Sequence, residues 1–263
     1  VHLCGQPCDM QAIHALAQRY GFKVVEDASH AIGARYLNEP VGSCRYSDIC
    51  IFSFHPVKII TTGEGGMVTT NDEILWKKMW SYKDHGKSYD SIYNKQHPPG
   101  FRWLHDSFGT NWRMMEMQAV IGRIQLTYMA DWTKKRIENA NKILKAFDNS
   151  IYFTVNRPTD DYLHAQYKCY VQVNINALPS DWSRDRIMQF INAEGVPCYS
   201  GSCSEVYLEH AFDDTAWRPK ERLKNAQQLG ETSLMFLVHP TLSESNIAKT
   251  IEVIEKIKRA LDQ

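Results

Sequence analysis

A chain of 263 residues, 43% hydrophobic and 23% charged, is long enough for one large domain or two modest ones, each with its own core. Thirty basic residues balance thirty acidic ones, so no global field points toward nucleic acid or an anionic membrane. No apolar run approaches the ~20 residues of a membrane span, and seven scattered cysteines read as free thiols with no zinc-ligand spacing. A soluble, cytoplasmic protein without a metal is the expectation.

Val1 to Gly5 reads as the end of a strand entering a loop. A domain rarely begins on a strand that its sheet must already flank, so an N-terminal portion is expected to be missing. Asp9 is placed to cap a helix from Met10 to Tyr20, with Ile13, Leu16, Ala17 and Tyr20 on one face and Gly21 closing it. Phe22 to Glu26 follows as a short apolar strand. This rhythm predicts a βαβ unit and a largely parallel sheet. Ser47 to Phe54 and Gly66 to Thr70 supply further strands, and a helix is predicted from Asp72 to about Trp80.

Residues 83 to 110 are polar, spiked with aromatics and without sustained periodicity, as in a lid or a contact arm. Met117, Val120, Ile121, Ile124 and Leu126 then mark one helix. Trp132, Arg136, Ala140, Ile143, Leu144 and Phe147 mark a second. From about residue 150 the texture becomes α+β. Tyr167 to Ile175 alternates like a half-buried strand, Ser183 caps a helix ending at Gly195, and Ser233 to Val238 is an apolar strand. Ser243 opens a final amphipathic helix. No internal repeat is visible. The boundary between two domains falls near 128 to 150, giving 1–130 and 131–263.

Chemistry concentrates around Lys58. It is a lone lysine among apolar and small neighbours, between two strand-like runs, where desolvation favours the neutral amine that attacks an aldehyde. Val24 to Asp27 is a strand running into an acidic residue. A strand-end carboxylate plus a desolvated lysine is what pyridoxal phosphate chemistry requires. Ser53 stands at a strand end where its hydroxyl can bind phosphate. The turn Thr61-Thr62-Gly63-Glu64-Gly65-Gly66 lets backbone approach a planar group.

Glu26-Asp27-Ala28-Ser29-His30, then Phe52-Ser53-Phe54-His55-Pro56-Val57-Lys58 and Thr61 to Gly66, resemble the DegT/DnrJ/EryC1/StrS family. Gly5 to Met10, Gly109-Thr110-Asn111-Trp112-Arg113-Met114, Gln118-Ala119 and Val238-His239-Pro240-Thr241-Leu242 agree, so the resemblance covers essentially the whole chain. It implies the α/β type I aminotransferase fold: a large domain with a mostly parallel sheet, N-terminally truncated here, plus a smaller α+β C-terminal domain. The implied cofactor is pyridoxal 5'-phosphate.

Carried over residue by residue, Lys58 is the Schiff-base lysine and Asp27 the partner of the pyridine nitrogen. His30 lies near the ring and its 3′ oxygen, and Ser53 binds the phosphate. Asn111 resembles the residue given to the phosphate of a neighbouring subunit, which implies a homodimer with composite active sites. Arg113 supports that loop, meets an anionic substrate, or forms an ordinary interface ion pair. His55, Glu64 and His239 read mainly as architecture. The implied reaction moves an amino group, with glutamate the expected donor, onto a keto sugar carried on a nucleoside diphosphate for polysaccharide or glycoconjugate biosynthesis. The phosphate-cradling turn that normally precedes this segment is not found at its usual place. A truncated, inactive remnant or a regulatory paralogue is therefore the alternative reading.

Overall fold

Side-chain caps set where several helices of this chain begin. In the computed structural model, which describes residues 1–263, Asp9 Oδ1 accepts the Ala12 N–H at 3.1 Å and opens α1, Met10–Tyr20. Gly21 ends it at φ +72°, a left-handed position that costs glycine nothing, and returns its N–H to the Ala17 carbonyl. Asp72 likewise accepts two N–H groups, from Ile74 and Leu75, at the start of α2, Glu73–Lys83.

The chain forms two compact units, residues 1–130 with 160–165, and residues 131–159 with 166–263. The first holds α1, β1 (Val25–Asp27), β2 (Arg35–Tyr36), β3 (Glu39–Pro40), β4 (Ile49–Ser53), β5 (Gly66–Thr69) and α2. It continues through α3 (Tyr89–Tyr93) and α4 (Glu116–Thr127), and takes in β7 (Tyr162–Leu163). Strands β1 and β4 pair in parallel, Asp27 opposite Ile51, while β5 returns antiparallel with Gly66 opposite Ser53. Of the mostly parallel sheet expected, the strands of this chain form one parallel and one antiparallel pair. Residues 54–65 hold no crossover helix; Phe54 N–H meets the Gly65 carbonyl at 2.9 Å, so the chain folds straight back. A second sheet, in the order β3-β2-β7, is antiparallel and only two residues deep.

Three further expectations change. Leu3–Gly5 is a 3-10 turn, with Cys4 at φ +59°, rather than a strand end. A backbone bond from His2 N–H to the Asp27 carbonyl, 2.9 Å, helps tie it to β1. The segment after α2 contains α3 and is cross-tied at its base, Asp84 opposite Asn111 and Lys87 opposite His105. Helix α4 forms where predicted, but its apolar stripe stays exposed: Met117 and Val120 are 70% and 52% accessible, and only Gly122 is buried.

The second unit begins on α5, Met129–Ala146, most of which lies in it. Its sheet runs β6 (Phe153–Thr154), β8 (Cys169–Val173), β10 (Ser233–Phe236), β9 (Cys198–Tyr199), antiparallel throughout. Helices α6 (Arg184–Ala193), α7 (Lys224–Thr232) and α8 (Glu244–Leu261) complete it. Ser183 and Ser243 cap α6 and α8, each accepting an N–H three residues on. One continuous core includes Ile143, Phe147, Ile187, Leu234, Phe236 and Ile254, all essentially inaccessible. Each such side chain contributes about 1.5–3 kcal/mol by leaving water.

Candidate active site

Because β1 and β4 run parallel, their carboxyl ends emerge side by side, and ligands of open α/β sheets bind beyond such ends. Asp27 is the last residue of β1 and Ser53 the last of β4. Asp27 Oδ1 accepts the Ser29 N–H at 3.0 Å. Partial burial would raise its pKa, but the bonds from Ser29 and the nearby His30 outweigh this and hold the carboxyl below its usual range. It therefore stays ionised at neutral pH. His30 Nδ1 accepts the Cys4 N–H at 3.3 Å, so a neutral ring carries its proton on Nε2 and presents a donor there.

Ser53 Oγ accepts the His55 N–H at 3.3 Å, and the Lys58 N–H meets the His55 carbonyl at 3.0 Å. These bonds fold residues 53–58 into a tight bend beyond β4. Lys58 is half-buried. Burial pulls its amine below the ordinary lysine range, and the Asp27 charge opposes this only in part. The structure thus brings Asp27, His30 and Lys58 into one electrostatic neighbourhood, with Ser53 at the end of the adjoining strand.

The turn after Lys58 is held from within and from α4. Thr61 Oγ1 donates to the Phe54 carbonyl and Thr62 Oγ1 to the Glu64 carbonyl. Gly65 sits at φ +145°, and a Cβ there would lie 2.7 Å from Thr62 Oγ1 and 2.9 Å from Met114 Cε, so only glycine fits. Gln125 grips the backbone of Thr61 by both ends of its amide, 2.9 Å each, and Gln118 donates to the Glu64 carbonyl at 2.7 Å.

Asn111 stands in a different cluster. Its side-chain oxygen accepts from Arg113 Nε and Nη2 at 3.4 and 3.3 Å, and Arg113 also lies 3.4 Å from Asp84. Of the roles open to Arg113, support of its own loop is the one this geometry displays. His55 and Glu64 face each other at 3.8 Å, and His239 Nδ1 lies 2.7 Å from Thr241 Oγ1. No three histidine, cysteine, aspartate or glutamate side chains gather to hold a metal ion.

Residues 1–257 match the DegT/DnrJ/EryC1/StrS aminotransferase family. This chain belongs to that family. Among solved structures, the aminotransferase from Psychrobacter cryohalolentis is 56% identical with a TM-score of 0.97, covering 100% of this chain and 68% of that one. The spore coat polysaccharide biosynthesis protein SpsC of Bacillus subtilis (strain 168) is 31% identical across 100% of this chain and 66% of its own length. The UDP-N-acetyl-3-dehydro-alpha-D-glucosamine 3-aminotransferase of Acidithiobacillus ferrooxidans is 32% identical across 97% of this chain and 63% of its own. The chain thus spans 66% and 63% of the length of these two curated relatives.

Pyridoxal 5'-phosphate is the cofactor of the family's aminotransferases, and S. venezuelae DesV, 26% identical with a TM-score of 0.83 over 98% of this chain and 63% of that one, is described in complex with a ketimine intermediate. The residues present fit that group. An ionised carboxylate at one strand end, a half-buried lysine with a depressed pKa, a serine hydroxyl at the next strand end and a glycine-only turn are the parts it needs.

Sequence reasoning missed the support behind Asp27. Glu26, 7% exposed, meets His2 Nε2 at 2.7 Å and accepts from the Ser47 hydroxyl, while His2 Nδ1 accepts the Cys8 N–H at 3.0 Å. Side chains alternate along a strand, so this buried network lies on the face opposite Asp27. The available signal was a second acid inside a three-residue strand, which burial obliges to find partners.

Proposed function

We propose that this chain is the lysine-bearing part of a pyridoxal-phosphate-dependent aminotransferase of the type I fold. Residues 1–130 are read as part of its large domain and 131–263 as its small α+β domain. Its substrates are an amino-acid donor, glutamate by expectation, and a keto sugar carried on a nucleoside diphosphate. The observation that carries this reading is Lys58 itself, a half-buried amine below the lysine range and within reach of the ionised Asp27's field.

When bound, pyridoxal phosphate supplies an electron-withdrawing ring that stabilises negative charge at the substrate carbon. Lys58 Nζ would hold the cofactor at its aldehyde carbon, and as a free amine it would carry a proton to and from the substrate carbon. A lowered pKa suits both tasks, because more of the amine is free base near neutral pH. Asp27 would hold the protonated ring nitrogen, and His30 would offer its Nε2 proton to the 3′ oxygen. Ser53 Oγ binds the phosphate. Asn111 binds the phosphate in a neighbouring subunit, so the active form is a homodimer with composite sites. The UDP-sugar named for the Acidithiobacillus relative and the polysaccharide role named for the Bacillus relative support the substrate class and a product destined for polysaccharide.

The reading is tested by incubating the chain with pyridoxal phosphate, glutamate and a UDP-linked keto sugar, and following 2-oxoglutarate and the amino sugar by mass spectrometry. Both products are expected from the wild type and neither from Lys58→Ala. Equal turnover by the variant would sink the assignment.

A further inference from the structure

Helix α5 carries an arginine inside its apolar stripe. Arg136 is 5% exposed and has no acidic partner. Its Nη1 reaches only the Gln166 and Tyr167 carbonyls, at 3.5 and 3.3 Å, and its Nε has no hydrogen-bond partner. Three residues on, Asn139 is fully buried. It donates Nδ2 to the Val238 and His239 carbonyls at 3.3 and 3.4 Å, which leaves Oδ1 without a donor. Residues three apart share a helix face. A bare N–H and a bare oxygen therefore stand together beside a buried positive charge.

Arg136 forms no ion pair, and Tyr167 alone offsets its burial in part. Arg136 and Lys168 both press on His239, whose ring burial has already moved below the usual histidine range. His239 is half-buried, its Nδ1 lying 2.7 Å from Thr241 Oγ1. Buried charges are ordinarily paired and buried polar atoms bonded, so this group lacks an anion and a donor at once.

We propose that Arg136, Asn139, Lys168 and His239 frame a site for an oxyanion that carries its own hydroxyl. Hydrogen phosphate or a phosphate monoester is the fitting class. One phosphoryl oxygen accepts from Arg136 Nε, the P–OH donates to Asn139 Oδ1, and Lys168 and His239 lie at the opening. A carboxylate satisfies the arginine but leaves Asn139 bare. All four residues belong to the second unit, and the proposal is independent of the role given to Lys58.

The test is the Arg136 Nε–Hε resonance of the full chain, titrated with inorganic phosphate, a sugar phosphate and glutarate. Phosphate is expected to shift it saturably, and glutarate to bind about tenfold more weakly for want of the hydroxyl. If the sugar phosphate binds more tightly, the natural ligand is a phosphoryl group on a larger molecule; if only free phosphate binds, it is the ion. Both results support the site. Read by titration calorimetry, Arg136→Met should weaken phosphate binding at least about tenfold and Lys168→Met about two- to fivefold, the buried charge outweighing the half-buried one. Should Arg136→Met fail to fold, Asn139→Asp, which sets a carboxylate against the anion, should give the same loss. A resonance indifferent to every probe, as for an N–H held by one buried water, would overturn the proposal. So would undiminished phosphate binding by both Arg136→Met and Asn139→Asp, or glutarate binding as tightly as phosphate.

Discussion

Residues 131–159 and 166–263 bury isoleucines, leucine and phenylalanines in one continuous cluster, with Phe147 4.9 Å from Phe153 and 5.6 Å from Phe236. Residues 1–130 bury mainly small side chains, such as Ala28, Ala31, Ala34 and Cys50, with Ile59 and Ile60 beneath the Lys58 bend. The first pattern gains its stability from apolar area. The second gains close backbone approach and a dense set of side chain to backbone bonds, such as those from Thr61, Thr62, Gln118 and Gln125. Half-buried charges like Asp27 and Lys58 belong in the second setting. There their pKa values can shift while hydrogen bonds still satisfy them.

The sharpest way to break this contrast is to delete core volume. Phe147→Ala should cost about 3–5 kcal/mol, read as a lowered urea midpoint. A loss below about 1 kcal/mol would mean that the second unit does not rest on its core. Asp27→Asn should instead lower aminotransferase activity about 100- to 1000-fold, the usual cost of removing one preorganised electrostatic partner. Its urea midpoint should stay near that of the wild type, and a large stability loss with little loss of activity would reverse the roles given to the two regions.

Glu26→Gln probes the buried network behind Asp27. It should cost about 1–3 kcal/mol at pH 7, because His2 and Ser47 lose a charged acceptor. Burial would raise the Glu26 pKa, but His2 and Ser47 bring it below the usual glutamate value. A depressed folded pKa contributes stability that is present above the unfolded value and lost as pH falls through the folded one. The midpoints of wild type and variant should therefore converge in acid; a gap that widens there would contradict the network. Smallest of all, Ser243→Ala should cost about 1 kcal/mol by uncapping α8, visible as a modest fall in thermal midpoint.

Local rules were legible and long-range ones were not. Asp9 with Gly21, Ser183 and Ser243 announced helix ends, because a capping side chain acts within three or four residues of itself. The strand bearing Asp27 and the one ending at Ser53 were visible as short apolar runs. The two-residue strands β2, β3 and β7 were invisible, since period two needs more than one step to show and Arg35 pairs with Leu163 across nearly half the chain. The direction of β5 depended on how residues 54–65 fold, which no periodicity reports. The depressed Lys58 amine could be reasoned from its neighbours, whereas the His2–Glu26–Ser47 network joins residues 21 and 24 apart with no local pattern. Arg136 had been marked by its place in the α5 stripe, but its lack of an acidic partner is visible only in three dimensions.

The central claim is that Lys58 holds the cofactor. The most direct measurement is to mix the protein with pyridoxal phosphate, reduce it with borohydride, digest it and locate the pyridoxyl group by peptide mass spectrometry. A single stoichiometric adduct on Lys58, absent from Lys58→Ala and weakened in Asp27→Asn, is the predicted result. Adducts scattered over surface lysines, or none on Lys58, would contradict it.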